Sequence, residues 1–331
     1  MVALDATPAV VESALASKCQ MLLTHHPLIF KPLKSISTAT SQGRLIHTAI
    51  RGGLSVVSMH TNYDIVDGGL NDLLAERLGL SSCTPLQITS KQELVKLAAF
   101  VPHDHLDQVR TALLPYAVAL GAYQDCSFAA PGEGTFTPLP GTTPFVGTVG
   151  EREHVAEQRL EILIDRAGLP RTIKALLSAH PYEEPAFDIY PVLNEGTLIG
   201  LGRIGRLPST VALSDFAAQL GKNLSAPGMR YVGDPATEIT KVAVCSGSGA
   251  SLMRAAVRAG ADVLVTGDVR YHDARDAEDL GLALIDAGHF PTEIIMVDAA
   301  TVKLKRMLEE AGYEGCEVLA CRVENNPFRF C

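Results

Sequence analysis

The chain has 331 residues, 47% hydrophobic and 20% charged, so it can bury a sizeable core and is long enough for two or three domains. A formal net charge of -9 argues against a nucleic-acid backbone as the main partner, and no run approaches the roughly 20 apolar residues of a membrane span. No signal peptide is visible at the start, and seven scattered cysteines without a Cys-x-x-Cys pair (Cys19, Cys83, Cys126, Cys245, Cys316, Cys321 and Cys331) suggest reduced, mostly buried thiols in a cytoplasmic protein.

Residues 1–90 alternate strand and helix. A short strand at 2–5 precedes a helix with Thr7 as N-cap and Pro8 at its first position. Val10, Val11, Ala14 and Leu15 give that helix an apolar face. A second strand at 21–24 stops on His25-His26-Pro27, because proline cannot continue a central ladder. A helix at 44–51, a strand at 54–59 ending at His60, and a helix at 71–78 complete the region. This alternation implies a largely parallel sheet covered on both faces, with sites beyond the carboxyl ends of its strands.

Residues 91–194 differ. Strands at 93–102, 126–129, 159–164 and 186–192, with helices from 103 to 114 and 169 to 179, give the order β-α-β-β-α-β of a ferredoxin-like split motif. Residues 131–144, rich in Gly, Pro and Thr, read as a loop. Residues 195–331 return to the first grammar, with strands at 241–245, 261–266 and 282–286 and helices at 250–259, at 274–280 and from Pro291 onward. Thr266-Gly267-Asp268 then sits where Thr24-His25-His26 sits, and His289 to Glu293 where His60 to Asp64 sits. The expected fold class is therefore α/β: two similar lobes (1–90 and 195–331) with a metal site between them, plus an inserted ferredoxin-like domain (91–194).

Two imidazoles and a carboxylate from one lobe, with an imidazole and a carboxylate from the other, suit two metals sharing a carboxylate. Such mixed N/O ligands fit zinc, manganese, iron, cobalt or nickel. Each motif also has an ordinary structural reading: Asp64 can cap a turn, and Glu293 can favour a helix dipole. Their shared placement at strand ends favours the metal. Asp268 and His272 can fix ligand tautomers or bind substrate. Residues 246–251 lack the Lys of a P-loop and read as a tight turn, and His180-Pro181-Tyr182-Glu183-Glu184-Pro185 as a rigid connector.

Six stretches carry a resemblance: Leu23-Thr-His-His-Pro-Leu-Ile-Phe30, Met59-His-Thr-Asn-Tyr-Asp64, Gly68-Gly-Leu-Asn-Asp72, Gly200-Leu-Gly-Arg-Ile-Gly205, Val265-Thr-Gly-Asp268 and Ala287-Gly-His-Phe-Pro-Thr-Glu293. Together they resemble the GTP cyclohydrolase 1 type 2 homologues, also called Nif-three-like proteins. The middle region, ending His180-Pro-Tyr-Glu-Glu-Pro-Ala-Phe-Asp-Ile-Tyr190, is similar to the CutA/PII-like insertion of the longer bacterial members. The resemblance implies a dinuclear centre held by His25, His26, Asp64, His289 and Glu293, with Asp64 or Glu293 bridging and His60 as a candidate extra ligand. It implies toroidal homohexamers, and a metal-activated water that opens the ring of GTP or attacks a related small molecule, with His60 or His272 assisting proton transfer. Members carry a Trp-Asp-Asn motif ahead of the first strand. This chain has no Trp, so the resemblance implies a shortened start. A non-catalytic metal-binding regulator or scaffold with a PII-like sensing module is the alternative expectation.

Overall fold

The computed structural model describes residues 1–329, and Cys331 lies outside them. The chain forms two compact units, Met1–Ser90 with Ile199–Cys331, and Lys91–Leu198.

The first unit begins with β1 (Val2–Ala3), α1 (Pro8–Ala16), β2 (Met21–Thr24), α2 (Ser41–Arg51), β3 (Ser55–Ser58), α3 (Thr61–Ile65) and α4 (Leu70–Arg77). Thr7 caps α1, its hydroxyl accepting the Val10 N–H at 3.3 Å. The apolar face of α1 (Val10, Val11, Ala14) packs with Leu22 of β2 and Ala49 of α2. The strands form a parallel sheet in the order β1-β2-β3.

The chain then enters β4 (Ser81–Lys91), which joins a different sheet. The strand ladder therefore carries residues near 90 away from the first lobe, where the sequence pattern had placed them.

In the second unit, β5 (Leu94–Pro102), α5 (Leu106–Leu113), β6 (Ser127–Phe136), β7 (Glu153–Asp165), α6 (Leu169–Ala179) and β8 (Phe187–Pro191) follow one another. Their sheet has the order β6-β7-β5-β8 with antiparallel pairing throughout. Leu97, Val101, Val109, Leu160, Ile162 and Leu176 form its own core. Here β6 runs through Pro131, Gly132 and Gly134, which composition had marked as loop. It lies at the sheet edge, where a proline breaks no ladder on its open side.

The first unit resumes with β9 (Leu198–Ala212), α7 (Leu213–Asn223), β10 (Arg230–Val232), β11 (Glu238–Ser248), α8 (Met253–Arg258), β12 (Val263–Gly267), α9 (Tyr271–Leu280), β13 (Ala283–Asp286), α10 (His289–Glu293) and α11 (Ile295–Glu310). Its six-stranded sheet has the order β10-β13-β12-β11-β9-β4. Strands β11, β12 and β13 are parallel, matching β1, β2 and β3 in arrangement, while β9 and β10 pair antiparallel at their flanks. The two lobes thus share a three-strand parallel kernel, and the second adds three strands to it. The lobes meet in two apolar clusters: Val2, Leu4, Tyr63 and Leu70 pack against Met296, Val297 and Ala300, and Leu74, Ala75 and Leu78 against Leu213, Phe216 and Ile239.

Candidate metal centre

The carboxyl ends of β2, β3, β12 and β13 deliver the polar residues. After Thr24, the N–H groups of both His25 and His26 donate to one carbonyl, Leu4 O, at 3.1 and 3.0 Å. This pinch breaks the alternation of strand side chains. Consecutive imidazoles then stand together, ring centroids 5.0 Å apart. Asp64 arrives on α3, and His289 and Glu293 sit one turn apart on α10.

Glu293 is the centre of the cluster and is 4% exposed. Its Oε2 lies 3.1 Å from His26 Nε2 and 2.9 Å from His289 Nε2. Its Oε1 lies 3.7 Å from His25 Nε2, which is itself 3.7 Å from Asp64 Oδ1. Ring nitrogens of His25, His26 and His60 form a second close group beside that of His26, His289 and Glu293. Two cluster atoms, His25 Nε2 and Asp64 Oδ1, are buried with no hydrogen-bond partner, and buried Glu293 Oε2 faces only the ring nitrogens of His26 and His289. Leaving such atoms unsatisfied is costly, and a cation is what they fit. The imidazole and carboxylate donors suit a divalent metal ion.

Space for Glu293 comes from Gly247. Its φ is +57°, and a Cβ there would fall 2.2 Å from Glu293 Oε1. The glycine-rich stretch it belongs to is no anion cradle. Its N–H groups donate inward: Ser246 to Asn71 Oδ1, Gly247 to Thr292 Oγ1 and Gly249 to Thr266 Oγ1. Buried Asn71 also donates to Asp64 O, at 3.0 Å, and so ties α3 to the end of β11.

Each of the His25, His26 and His289 imidazoles is oriented through its other nitrogen. His25 Nδ1 donates to Met59 O at 2.8 Å, His26 Nδ1 meets Asp5 Oδ1 at 2.8 Å, and His289 Nδ1 meets Asp268 Oδ2 at 2.7 Å. These contacts leave Nε2 free to ligate. Asp268, a sequence candidate for fixing a ligand tautomer, stands against the His289 ring. Asp5 escaped sequence reasoning, because a lone Asp after a short strand resembles any turn residue. Its backbone is held in turn by Glu324, whose carboxylate accepts the Leu4 and Asp5 N–H groups. Asp5→Asn or Asp268→Asn is expected to weaken metal binding by about ten- to a hundredfold with the fold intact, measured by competition with a chromogenic chelator.

The remaining candidates divide. His60 ends β3 with its ring centroid 5.2 Å from that of His25. Burial, then the neighbouring His25 and His26, lowers its pKa and favours the neutral ring. His272 is exposed on the first turn of α9 and, among the described residues, makes no hydrogen bond to the cluster. His180 is buried, accepting the Tyr182 N–H and donating to Phe100 O, which makes it a structural residue. Of the described cysteines, Cys245 and Cys321 are buried and Cys316 is exposed. Thiol burial is thus narrower than composition suggested.

The electrostatics set what an entering metal would displace. The Asp5 hydrogen bond, then that of Glu293, raises His26 to about 10. Glu293, reinforced by Asp268, raises His289 to about 9. Burial raises Asp64 to about 6. Burial pushes Glu293 upward too, but His25, His26 and His289 outweigh it and hold this carboxylate far below its ordinary range. In the metal-free protein His26 and His289 therefore keep their protons at neutral pH, and a metal must displace them. Loading is expected to release about two protons per chain, with apparent affinity rising about a hundredfold per pH unit from about pH 6 to 8. Calorimetry in buffers of different ionisation heat measures the release, and an affinity flat over that range would contradict it.

A cavity of about 750 Å³ opens onto His26 and His289, bordered by Arg230, Phe290, Asn326 and Phe328. It is large enough for a small organic molecule.

The same architecture recurs in known proteins. The profile of the Duf34/NIF3 (NGG1p interacting factor 3) family matches residues 1–327. The chain belongs to this family. It is 44% identical to a GTP cyclohydrolase 1 type 2 homolog of Halalkalibacterium halodurans over 331 residues, covering 100% of this chain and 88% of the relative. A Bacillus subtilis relative of the same description is 42% identical over the same shares. The crystal structure of a Bacillus cereus protein related to NIF3 superposes with a TM-score of 0.88 at 39% identity, covering 100% of this chain and 88% of that one. The Duf34/NIF3 fold is thus a mixed α/β fold, and the residues gathered here are this chain's own candidate metal ligands. No helix among the described residues is long and apolar enough to cross a membrane.

Proposed function

We propose that the protein is a dinuclear metal-dependent hydrolase of a nucleotide or related small molecule. The observation that carries this reading is the convergence of buried, unpartnered His25 Nε2 and Asp64 Oδ1 with the buried Glu293 carboxylate and the His26 and His289 rings beside a ligand-sized cavity. His25, Asp64 and Glu293 Oε1 would hold one divalent cation, and His26, His289 and Glu293 Oε2 the other. When bound, such a pair supplies Lewis acidity and makes a water nucleophilic near neutral pH. Asp5 and Asp268 keep the His26 and His289 rings turned inward. His60, neutral and adjoining, can take a proton at a ring nitrogen. Arg230 is anchored to Asp286 at 2.8 Å on the cavity wall, where it can meet an anionic group of substrate. Kinship with the GTP cyclohydrolase 1 type 2 homologs makes GTP the first substrate to try. Homohexameric assembly and a cytoplasmic location, expected from the sequence, are kept as parts of this proposal.

The test is formate release from GTP by protein loaded in turn with zinc, manganese, iron, cobalt and nickel. Multiple turnovers that vanish in Glu293→Gln support the hydrolase. Two bound metals without turnover of GTP or other nucleotides would overturn it and favour a metal-binding regulator with a CutA/PII-like sensing unit. One observation favours that second reading: residues 91–198 form a compact unit with their own core.

A further inference from the structure

We propose that the unit of residues 91–198 carries a binding site for a small organic cation, an ammonium group on an apolar or aromatic body. A cavity of about 770 Å³ lies wholly within this unit. Its volume falls inside the range of roughly 300–1,000 Å³ seen for small-molecule sites. Four aromatic residues line it, Phe100, Phe136, Phe145 and Tyr182. Phe136 and Tyr182 have centroids 5.9 Å apart, and Phe145 lies 6.1 Å from Tyr182.

Against these rings the cavity presents a buried charge. Glu157 of β7 lines it and is 8% exposed. No Lys, Arg or His pairs with Glu157 among the described residues: Arg159, on the same wall, is taken by Glu161 at 2.9 Å. The neighbouring strand makes room for this carboxylate. A Cβ on Gly134 of β6 would fall 2.2 Å from Glu157 Oε2. The Tyr182 hydroxyl is buried beside this carboxylate, and burial, then Glu157, holds the phenol above its ordinary pKa. The other charged groups on the lining are Glu133, already paired with His154, and Glu183 and Glu184.

A buried carboxylate without a counter-ion is costly, and a ligand that brings the cation relieves the cost. Aromatic faces attract the same charge. Surplus carboxylates repel anions, and the apolar walls (Leu139, Pro144, Val146) call for a body larger than a bare metal ion. This inference stands apart from the metal-centre reading, since none of its residues belongs to that cluster.

The experiment titrates phenethylammonium into the full-length, metal-loaded protein by calorimetry, with 2-phenylethanol and phenylacetate as neutral and anionic comparators. We expect one saturable site per chain for the ammonium and at least about tenfold weaker binding of both comparators. Glu157→Gln should weaken the ammonium about ten- to a hundredfold without changing metal content. Phe145→Ala, at a half-exposed ring outside the unit's core, should weaken it about three- to thirtyfold, and decides the matter if Glu157→Gln does not fold. No saturation below about 10 mM, equal binding of the alcohol, or unchanged affinity in the folded variants would overturn the proposal.

Discussion

Glu293→Gln is expected to strip the protein of metal. Glu293 touches every other member of the cluster but Asp64: its two oxygens face His25 on one side and His26 and His289 on the other. Gln keeps the shape but removes the charge that would offset a bound cation, and it places an NH2 group against ring nitrogens. Loss of an outer partner alone costs about ten- to a hundredfold in metal affinity, so loss of this central carboxylate should exceed about a hundredfold. Elemental analysis after gel filtration should find background metal, and the turnover of the proposed hydrolase should vanish with it. The substitution also tests the metal-free protein. The native-state pKa of Glu293 is depressed, so its contribution to stability is present above the unfolded value of 4.5 and is lost as pH falls through the lower folded value. His26 and His289 have raised values, so their contributions are complete below 6.5 and are lost as pH climbs toward about 10 and 9. Removing Glu293 should therefore destabilise the metal-free protein most between about pH 4.5 and 6.5, where both sets are charged. Urea midpoints across pH measure this. Full metal retention by Glu293→Gln would contradict the placement of this carboxylate at the centre.

Much of this cluster was legible before any coordinates, because strand ends announce themselves. Pro27 stops β2, and Gly288 with Pro291 brackets the start of α10, so the histidines beside them fall where parallel sheets expose polar residues. What stayed hidden depends on contacts distant in sequence. Gly247 reads as a turn glycine until Glu293, 46 positions later, is found against its α-carbon. Asp5 gains its role only when His26 Nδ1 comes within 2.8 Å of its carboxylate. The six-stranded sheet was hidden for a different reason. Gly200, Gly202, Gly205 and Pro208 lower the strand propensity of β9, yet it lies between β11 and β4. Its pairing with β11 shifts register between Arg206 and Val211, and that irregularity accommodates Pro208. His272 shows the converse. A titratable residue near a polar strand end looked functional, but α9 turns it to solvent.

Arg203→Ala is expected to destabilise the fold by about 3 kcal/mol, toward the lower end of the roughly 3–5 kcal/mol lost when one partner leaves a buried ion pair. Arg203 is 3% exposed, although it sits in the glycine-rich β9. Its guanidinium meets Asp72 of α4 through Nε and Nη2, at 2.5 and 2.8 Å. The remaining donors reach Gly200 O, Gly202 O and Val66 O. One side chain thus pins the strand of one lobe to the helix start and preceding loop of the other. Those are also the segments that carry Asp64 and Asn71 into the cluster. Alanine leaves three carbonyls and a carboxylate without this donor, and Asp72, a quarter exposed, recovers part of its solvation. That recovery is why the lower end of the range applies. Combining Arg203→Leu with Asp72→Asn removes both charges and should recover at least half of the loss, because the cost lies in the stranded partner more than in the missing attraction. Urea unfolding of the metal-free proteins measures both. A loss below about 1 kcal/mol for Arg203→Ala would place the pair with surface salt bridges and deny it a part in holding the lobes together. The metal readout separates the two predictions of largest effect: Glu293→Gln loses metal with the lobes still joined, whereas Arg203→Ala, by loosening the joint that aligns the two half-sites, should weaken metal binding only as far as it weakens the fold.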